Sequence, residues 1–500
     1  MWWQRPPLFS YFLGILGLGM LLPAAYALQD GTEREAVAFA GCALVLVLAA
    51  CMLALALMNR KGRTTARSQL GTMLLAYLLL PLGAALPLLL LLPGLGLERA
   101  YFEMLSSLTT TGATLLDPGM ATDSIHLWRA TVGWLGGLLI LFGALAIFAP
   151  LDLGGFEMQS AISGGRRGEG RVQPGSPEAA WRMLRIAQSV APGYAILTVI
   201  AGLALARAGA EPVDAAIHAM SVMSTSGITR HADGIAAGSG RLGEMAVILF
   251  MVLGATHRGP MLRLNRADLD WLRRDQELRI FAAMVISVTA AIMLRHWILG
   301  LSWDAGIDRV LAALWGAGFT VVSFLTTTGF VSADWHGTLG WSGLSSPAMI
   351  LLGLATLGGG IASTAGGIKL LRGYALYRQG VRELGRLTYP HSLGGDGETA
   401  RRLRRAGAFI AWVFLMLFLA VLSLLLMGFA LAGLDFESAL ALGVATLSTT
   451  GPLYAVAAPQ APRLGEIGVP ARLLADAAMV LGRMETLAVL ALFNPEYWRD

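Results

Sequence analysis

One short pattern occurs four times in this chain: a run of hydroxyl residues leads directly into a glycine. We call the copies hydroxyl–glycine loops 1 to 4; they are Thr109–Gly112, Ser224–Gly227, Thr326–Gly329 and Ser448–Gly451. Their glycines lie roughly a hundred residues apart, a period that indicates an internal structural repeat. Six residues before the glycine stand, in loop order, Ser106, Ser221, Ser323 and Ala445. The repeated unit is therefore longer than the loop itself.

The composition places these loops in a membrane protein. Of the 500 residues, 56% are hydrophobic and 14% charged, and the mean hydropathy is +0.64; roughly a quarter of the residues in a soluble domain are charged. Apolar runs long enough to cross a bilayer lie near residues 8–28, 36–58, 70–92, 126–150, 185–206, 241–257, 279–300, 345–371, 405–432 and 472–493. The sequence predicts an all-α polytopic membrane protein in contact with the lipid bilayer.

Basic residues collect in every second loop between the apolar runs. Examples after the second, fourth, sixth and eighth runs are Arg60, Arg166, Arg263 and Arg372. Such loops stay in the cytoplasm, so we expect both chain termini there and all four hydroxyl–glycine loops outside. This placement accounts for the net charge of +5, and we expect no nucleic-acid partner. The run Leu8–Leu22 before Ala25–Ala27 also fits a signal peptide, but the topology needs it as an uncleaved helix.

Two additional helices precede four units of similar organisation. We predict the additional helices within residues 1–64 and the units within residues 65–155, 180–260, 275–390 and 400–500. Each unit contains a helix, a shorter helical segment, a hydroxyl–glycine loop and a second helix. Acidic residues near the start of the shorter segments favour helix N-termini there; they are Glu98, Asp214, Asp308 and Glu437. Because these segments are too short to span a membrane, we expect re-entrant helices around one central pore.

The hydroxyl–glycine loops have the chemistry of a site for a dehydrated cation. Backbone carbonyls replace the water around an ion when they point the same way, and glycine permits the positive φ that this requires. Hydroxyl oxygens add ligands at the inner end of each loop. Because the loops contain no acidic residue, we predict a monovalent cation rather than calcium. The predicted ligands are Thr110, Thr111, Gly112, Thr225, Ser226, Gly227, Thr327, Thr328, Gly329, Thr449, Thr450 and Gly451.

With these loops the chain resembles the Trk/Ktr/HKT superfamily of potassium transport proteins, and its additional N-terminal helices resemble the TrkH branch. The resemblance implies four helix–pore-loop–helix repeats around one pore, in which the four loop glycines belong to a potassium filter. A serine at the first of these positions is associated with sodium permeation, so Gly112 favours potassium. Loop 4 departs from the superfamily pattern, in which asparagine often precedes the glycine and a second glycine follows the proline, here Pro452.

A glycine-rich segment, Gly358–Lys369, predicts a break in the eighth apolar run. So many glycines form a continuous helix poorly; the alternative is a face of small residues that packs closely on another helix. The superfamily has an intramembrane gating loop at this place, with an arginine of the last helix nearby. The corresponding Arg483 could instead form a structural ion pair or extend to the membrane surface. The resemblance implies a gate of Gly358, Gly359, Gly360, Ser363, Thr364, Gly366, Gly367, Lys369 and Arg483.

We interpret the chain as a potassium-selective uptake protein of a bacterial cytoplasmic (inner) membrane, and not as an enzyme. The sequence has no phosphate loop, dinucleotide fingerprint or nucleophile motif, so we expect no covalently bound cofactor. The resemblance implies a homodimer with a cytosolic ring of TrkA-like subunits, through which ATP, ADP or NAD acts. Three alternatives stay open: a sodium- or ammonium-permeable relative of the same fold, a KdpA-like subunit of a potassium-pumping ATPase, and a membrane enzyme. Channel-like movement and symport with protons or sodium are not distinguished.

Overall fold

The computed structural model describes residues 7–57, 66–117, 119–149, 177–231, 234–256, 259, 275–298, 306–344, 346–388 and 398–493. Helices joined by loops make up this part of the chain. Much of the basic sequence used to predict the topology lies outside it, including Arg60, Arg166 and Arg263. The side of the membrane on which each loop lies therefore stays a prediction.

The N-terminal helices form a hairpin that packs beside the first repeat. Helices α1 (Leu8–Gly19) and α2 (Leu21–Gln29) follow each other almost directly, and α3 (Glu33–Leu57) returns alongside both of them. Large apolar side chains on the outer surface of this hairpin, such as Leu18 and Leu55, are exposed. A continuous apolar surface of this kind is typical of contact with lipid.

Four repeats of similar organisation follow the hairpin. Each begins with a long helix: α4 (Ala66–Leu91), α7 (Pro177–Arg207), α10 (Gln276–Ile298) and α15 (Glu398–Leu431). Each then has a helix that carries a hydroxyl–glycine loop at its C-terminal end; these loop-bearing helices are α5 (Leu97–Leu108), α8 (Pro212–Ser224), α11 (Ile307–Leu325) and α16 (Phe436–Leu447). All four predicted acidic residues lie in the first turn of these helices.

The helices that follow the loops complete each repeat. In repeats 1 and 2 they are α6 (Asp123–Gly143, continued by a π-helical turn at Ala144–Phe148) and α9 (Ala236–Gly254). In repeats 3 and 4 a short helix intervenes and the following helix is broken in two. The elements are α12 (Trp335–Ser342), α13 (Ala348–Leu357) and α14 (Leu370–Thr388), and then α17 (Leu453–Ala457), α18 (Val469–Met484) and α19 (Thr486–Phe493).

The repeats close into a ring through these following helices. Helix α6 of repeat 1 packs against α8 of repeat 2, α9 packs against α11, α13 packs against α16, and α18 returns to α5. This closure brings the four hydroxyl–glycine loops together in the interior, where all their residues are buried. The predicted all-α architecture with four repeats is confirmed. The boundaries of the repeats stay predictions, because linker residues such as 150–176 and 260–274 lie outside the described residues.

Eight of the described helical stretches are long and apolar enough to cross a membrane. Seven coincide with predicted spans, and the eighth is α11, which has 19 residues where α5, α8 and α16 have 12, 13 and 12. The expectation that all four loop-bearing helices are too short to span is therefore wrong for α11. Exposed apolar residues near its start, Ile307 and Leu311, allow the helix to extend into apolar surroundings.

Two predicted spans are interrupted. The span at 345–371 breaks at Gly358, as the glycine-rich sequence predicts. The span at 472–493 breaks at Glu485, which has a φ of 58°, and the sequence analysis did not predict this break. A non-glycine residue with positive φ is uncommon, and Glu485 is held by an ion pair with Arg372 at 2.9 Å.

Candidate functional site

All four loop-bearing helices end with the same pair of backbone hydrogen bonds. The residue before the loop glycine donates its N–H to the carbonyl six residues before the glycine, over 2.8 Å for Thr111–Ser106, 2.9 Å for Ser226–Ser221, 2.9 Å for Thr328–Ser323 and 2.7 Å for Thr450–Ala445. The residue two before the glycine donates to the carbonyl five before it. Together these bonds form a Schellman motif. The acceptor is a backbone carbonyl, so alanine in repeat 4 serves as well as serine.

A threonine occupies the left-handed position of each Schellman motif. The φ angles are 54° at Thr110, 50° at Thr225, 58° at Thr327 and 52° at Thr449. Glycine is the usual residue there, and a β-branched residue at positive φ is a genuine outlier. Such strain persists only where the surrounding structure imposes it, and it clusters at functional sites. The sequence predicts positive φ at the glycines, and the structure adds it at the threonines.

The loop glycines bring the backbones of neighbouring repeats close together. A Cβ atom added at Gly112 would collide with the carbonyl oxygen of Ser226, and one added at Gly227 would collide with that of Thr328. At Gly451 it would collide with the backbone N of Ala113. The loops therefore meet in chain order, repeat 1 on 2, 2 on 3, and 4 back on 1. Glycine is needed at these positions because the approaching atoms are backbone, which cannot move aside.

The fourth glycine differs from the other three. Gly112, Gly227 and Gly329 have φ angles of 74°, 65° and 85°, whereas Gly451 is not in the positive-φ region. Its N–H donates to the carbonyl of Thr111 in repeat 1, at 2.6 Å. The expectation of a common backbone conformation at all four glycines is thus wrong for loop 4.

The threonine hydroxyls at the left-handed positions fall into two pairs. Thr225 Oγ1 lies 3.1 Å from Thr364 Oγ1, and Thr327 Oγ1 accepts the N–H of Gly366 at 2.9 Å. The hydroxyls of Thr110 and Thr449 are buried without a hydrogen-bond partner within the described structure. An unpaired buried hydroxyl costs about 1–3 kcal/mol, and a bound cation would remove that cost.

Buried carboxylates hold the chain just after loops 1 and 3. Glu103 accepts the Leu115 N–H at 2.9 Å and the Thr114 hydroxyl at 2.8 Å. Glu244 accepts the Ala333 N–H at 2.7 Å and the Ser332 hydroxyl at 2.8 Å. Both acids are fully buried, and Glu103 also pairs with Arg129 at 2.5 Å. The sequence analysis missed these acids, although a glutamate inside an apolar helix is itself a signal.

Loops 2 and 4 are held differently. After loop 2, the carboxylate of Asp214 pairs with Arg230 at 2.6 Å and with His231 at 3.1 Å. After loop 4, the Tyr454 hydroxyl donates to the carbonyl of Pro462 at 2.8 Å. Acidic residues therefore anchor the first three loops, and a neutral hydrogen bond serves the fourth.

The glycine-rich segment lies directly against the loops, on the side of Thr225 and Thr327. It leaves the helix at Gly358, which has a φ of 68°, and rejoins helix α14 after Lys369. Besides the two contacts to Thr225 and Thr327, a Cβ atom at Gly366 would collide with the carbonyl of Ser448 in loop 4. The segment therefore touches repeats 2, 3 and 4, and it is not a helix face of small residues. All nine residues of the predicted gate come together, and all except Gly367 are buried.

Charged side chains surround this segment. Arg483 Nη1 donates to the carbonyl of Thr364 at 2.5 Å, and the Tyr77 hydroxyl interacts with the same guanidinium. Arg483 is buried, so it does not extend to the membrane surface. Lys369 Nζ donates to the carbonyl of Ala365, and Glu277, on α10, accepts the N–H of Ile361 at 2.8 Å. The side-chain bonds thus hold the segment from two repeats.

Known proteins of one family match nearly the whole length of this chain. The family model TrkH, described as a cation transport protein, matches residues 42–499. A Trk system potassium uptake protein TrkH from Salmonella typhimurium is 29% identical over 489 residues, 96% of each chain. A Trk system potassium uptake protein TrkI from Halomonas elongata is 29% identical over 498 residues, 97% of this chain and 95% of that protein.

A solved structure has the same fold. The crystal structure of the potassium transporter TrkH from Vibrio parahaemolyticus matches with a TM-score of 0.79 and 25% sequence identity, over 99% of both chains. Family model and structure cover the hydroxyl–glycine loops and the glycine-rich segment alike. The chain therefore belongs to the TrkH family of cation transport proteins.

Proposed function

We propose that this protein takes up potassium across the cytoplasmic membrane of a bacterium, through the ring of hydroxyl–glycine loops. The observation that carries the proposal is the strained threonine and close-packed glycine found at matched places in the loops. Such strain is retained where it serves a function. The names of the relatives, which are potassium uptake proteins, support potassium as the transported ion. Transport rather than enzymatic chemistry is the activity expected of such a ring.

The proposed filter consists of the three residues that end each loop. Potassium would exchange its water for backbone carbonyls and for the threonine hydroxyls at the inner end. The hydroxyls of Thr110 and Thr449 support this role, because they have no hydrogen-bond partner in the part of the chain that the structure describes. Within the described residues, no group of three or more His, Cys, Asp or Glu could hold a metal ion. This supports neutral oxygen ligands, which suit a monovalent cation.

The proposed gate is the glycine-rich segment with Lys369 and Arg483. In the described conformation it bonds to the loop residues Thr225 and Thr327, so the segment and the filter are in direct contact. Arg483 adds a buried positive charge that would repel a cation at the inner end of the filter. Opening would move the segment and exchange its bonds, for which glycines supply the conformational freedom.

The driving force and the partners are further parts of the proposal. The membrane potential supplies about 2.3 kcal/mol per charge per 100 mV for inward movement of a cation. The relatives are parts of a Trk system, which supports a partner protein. We propose a homodimer that binds a cytosolic ring of TrkA-like subunits, with ATP, ADP or NAD acting through that ring. Both chain termini lie in the cytoplasm in this arrangement.

Substitution Gly329→Ser tests the filter. The three atoms nearest to a Cβ added at Gly329 are side-chain atoms of Pro452, at 3.1 to 3.2 Å, so this is the loop glycine at which a serine disturbs the backbone least. We expect the variant to lower the ratio of potassium to sodium flux into liposomes. The matched control is Gly318→Ser in α11, where an added Cβ meets nothing within 4 Å. An unchanged ratio in Gly329→Ser would contradict the filter, and equal sodium and potassium fluxes in the unsubstituted protein would contradict potassium selectivity.

A further inference from the structure

Two carbonyls of loop 4 are occupied by hydrogen bonds within their own repeat. The carbonyl of Thr450 accepts the N–H of Leu453 at 3.0 Å, and the carbonyl of Gly451 accepts the N–H of Tyr454 at 3.1 Å. Both bonds belong to the turn that begins α17. The carbonyls at the equivalent positions of loops 2 and 3 accept no hydrogen bond from the described residues; these are Ser226, Gly227, Thr328 and Gly329. The outer part of the ring is therefore not fourfold.

The ring of Pro452 lies against the glycines of two other loops. A Cβ atom at Gly329 would meet Cβ and Cγ of Pro452 at 3.1 Å, and one at Gly227 would meet Cγ at 2.9 Å. Repeat 3 is the neighbour of repeat 4, but repeat 2 is diagonally opposite it in the order in which the repeats pack. A side chain that reaches both glycines therefore extends over the centre of the ring. Pro452 is only half-buried, so its other side is open.

We propose that Pro452 is a specificity-determining residue at the outer entrance of the filter, a role that rests on the filter proposed above. An entering ion meets carbonyls of loops 2 and 3 on one side and an apolar pyrrolidine ring on the other. Proline has no N–H, and its ring carbons cannot replace lost water. The ion must give up water on that side without a new ligand. This hinders sodium more than potassium, because sodium holds its water more strongly.

Truncation of the proline ring tests this role. Pro452→Ala removes the ring atoms but keeps the start of α17, because alanine readily adopts the φ of −59° and ψ of −20° found there. In full-length protein in liposomes we expect the ratio of potassium to sodium flux to fall about fivefold, which corresponds to a free-energy difference of about 1 kcal/mol. Pro452→Val keeps the apolar volume and is expected to keep the ratio. Pro470→Ala, at the exposed start of α18, is the matched control and is expected to have no effect.

The results for the two variants distinguish a failure of the Pro452 role from a failure of the proposed filter. If Gly329→Ser changes the ratio and Pro452→Ala does not, the role of Pro452 is overturned and the filter stands. If neither variant changes it, the filter fails as well. An equal fall in Pro452→Val and Pro452→Ala would also overturn the inference, because ring volume would then not be the cause. Should Pro452→Ala fail to elute as folded protein in gel filtration, Pro452→Gly also removes the ring atoms without adding an oxygen and is judged by the same criteria.

Discussion

Loops 3 and 4 begin with the same backbone geometry and end differently. In both, the helix finishes in a Schellman motif with a left-handed threonine, Thr327 or Thr449. After that point Gly329 keeps a positive φ and its carbonyl accepts no described hydrogen bond, whereas Gly451 turns into α17. The run of hydroxyl residues thus specifies how the helix ends, and the residues after the glycine specify where the backbone goes next.

The residue after each glycine explains this divergence. Pro452 has a fixed φ that is well suited to the start of a helix, and α17 begins directly after it. Phe330 follows Gly329 and is buried, where it packs edge-on against the ring of His218 at 6.0 Å. A buried aromatic residue that contacts the preceding repeat and a proline that starts a helix therefore give two equivalent loops different roles.

Substitutions of the loop glycines should give the largest effect. Gly227→Ala places a side chain at a φ of 65° and against the carbonyl of Thr328. We expect rubidium uptake into liposomes to fall about 100-fold, because the strain and collision amount to about 3 kcal/mol. In Gly329→Ala the atoms nearest to the added Cβ belong to the Pro452 ring, and rubidium uptake should fall only about tenfold. Gly340→Ala, where an added Cβ meets nothing, should not change uptake; a greater loss at Gly329 than at Gly227 would contradict this order.

The next largest effect concerns the contact between loop 3 and the gate. Thr327→Val removes the acceptor for the Gly366 N–H, which destabilises the described position of the segment by about 1–3 kcal/mol. We expect basal rubidium flux to rise about tenfold. Both variants lose one hydroxyl of the proposed filter, which by itself lowers flux. Thr449→Val breaks no described bond to the glycine-rich segment, so its basal flux should fall and not rise. An equal rise in both variants would show that the bond from loop 3 does not hold the gate.

Loss of the hydrogen bonds that hold the chain after loops 3 and 4 should have a smaller effect. Glu244 accepts bonds from Ser332, Ala333 and Trp315, the last at 2.6 Å, and glutamine cannot accept all three. We expect Glu244→Gln to lower the free energy of unfolding by about 2 kcal/mol and Tyr454→Phe by about 1 kcal/mol. Thermal melting in detergent measures both. If Tyr454→Phe lowers the melting temperature more, the anchor of loop 4 is the stronger one.

The smallest expected effect is at the start of the two loop-bearing helices. Asp435 caps α16 by accepting the N–H of Ser438 at 3.4 Å, whereas Gly306 before α11 makes no such bond. A hydrogen bond with the Ser438 side chain lowers the pKa of the Asp435 carboxyl most, and the capping bond from the Ser438 N–H lowers it further. Because the folded-state pKa is lowered, the stabilisation is present above the unfolded pKa and is lost as pH falls through the folded one. Asp435→Asn should therefore lower the melting temperature slightly at neutral pH, and a difference that persists in acid would contradict this.

Much of the fold and part of the candidate site could be predicted from local sequence. The acids that begin the loop-bearing helices, the hydroxyl runs that end them and the break at Gly358 all act within a few residues, so their patterns are visible in the chain. The buried anchors Glu103 and Glu244 could not be assigned in this way. Glu244 binds the segment after loop 3 from α9 of repeat 2, and no local pattern indicates which repeat it will contact. The break at Glu485 likewise depends on Arg372, far away in the chain.

Local sequence indicates that four hydroxyl–glycine loops exist, that they end helices, and that each contains a glycine able to adopt a positive φ. The different backbone paths of the loops depend on tertiary contacts. The N–H of Gly451 bonds to Thr111 of repeat 1, and Pro452 lies against Gly227 and Gly329. These contacts join residues of different repeats, and they exist only once the ring has closed. The physical reason is that propensity acts along the chain, whereas the direction of a carbonyl depends on the donors that packing brings to it.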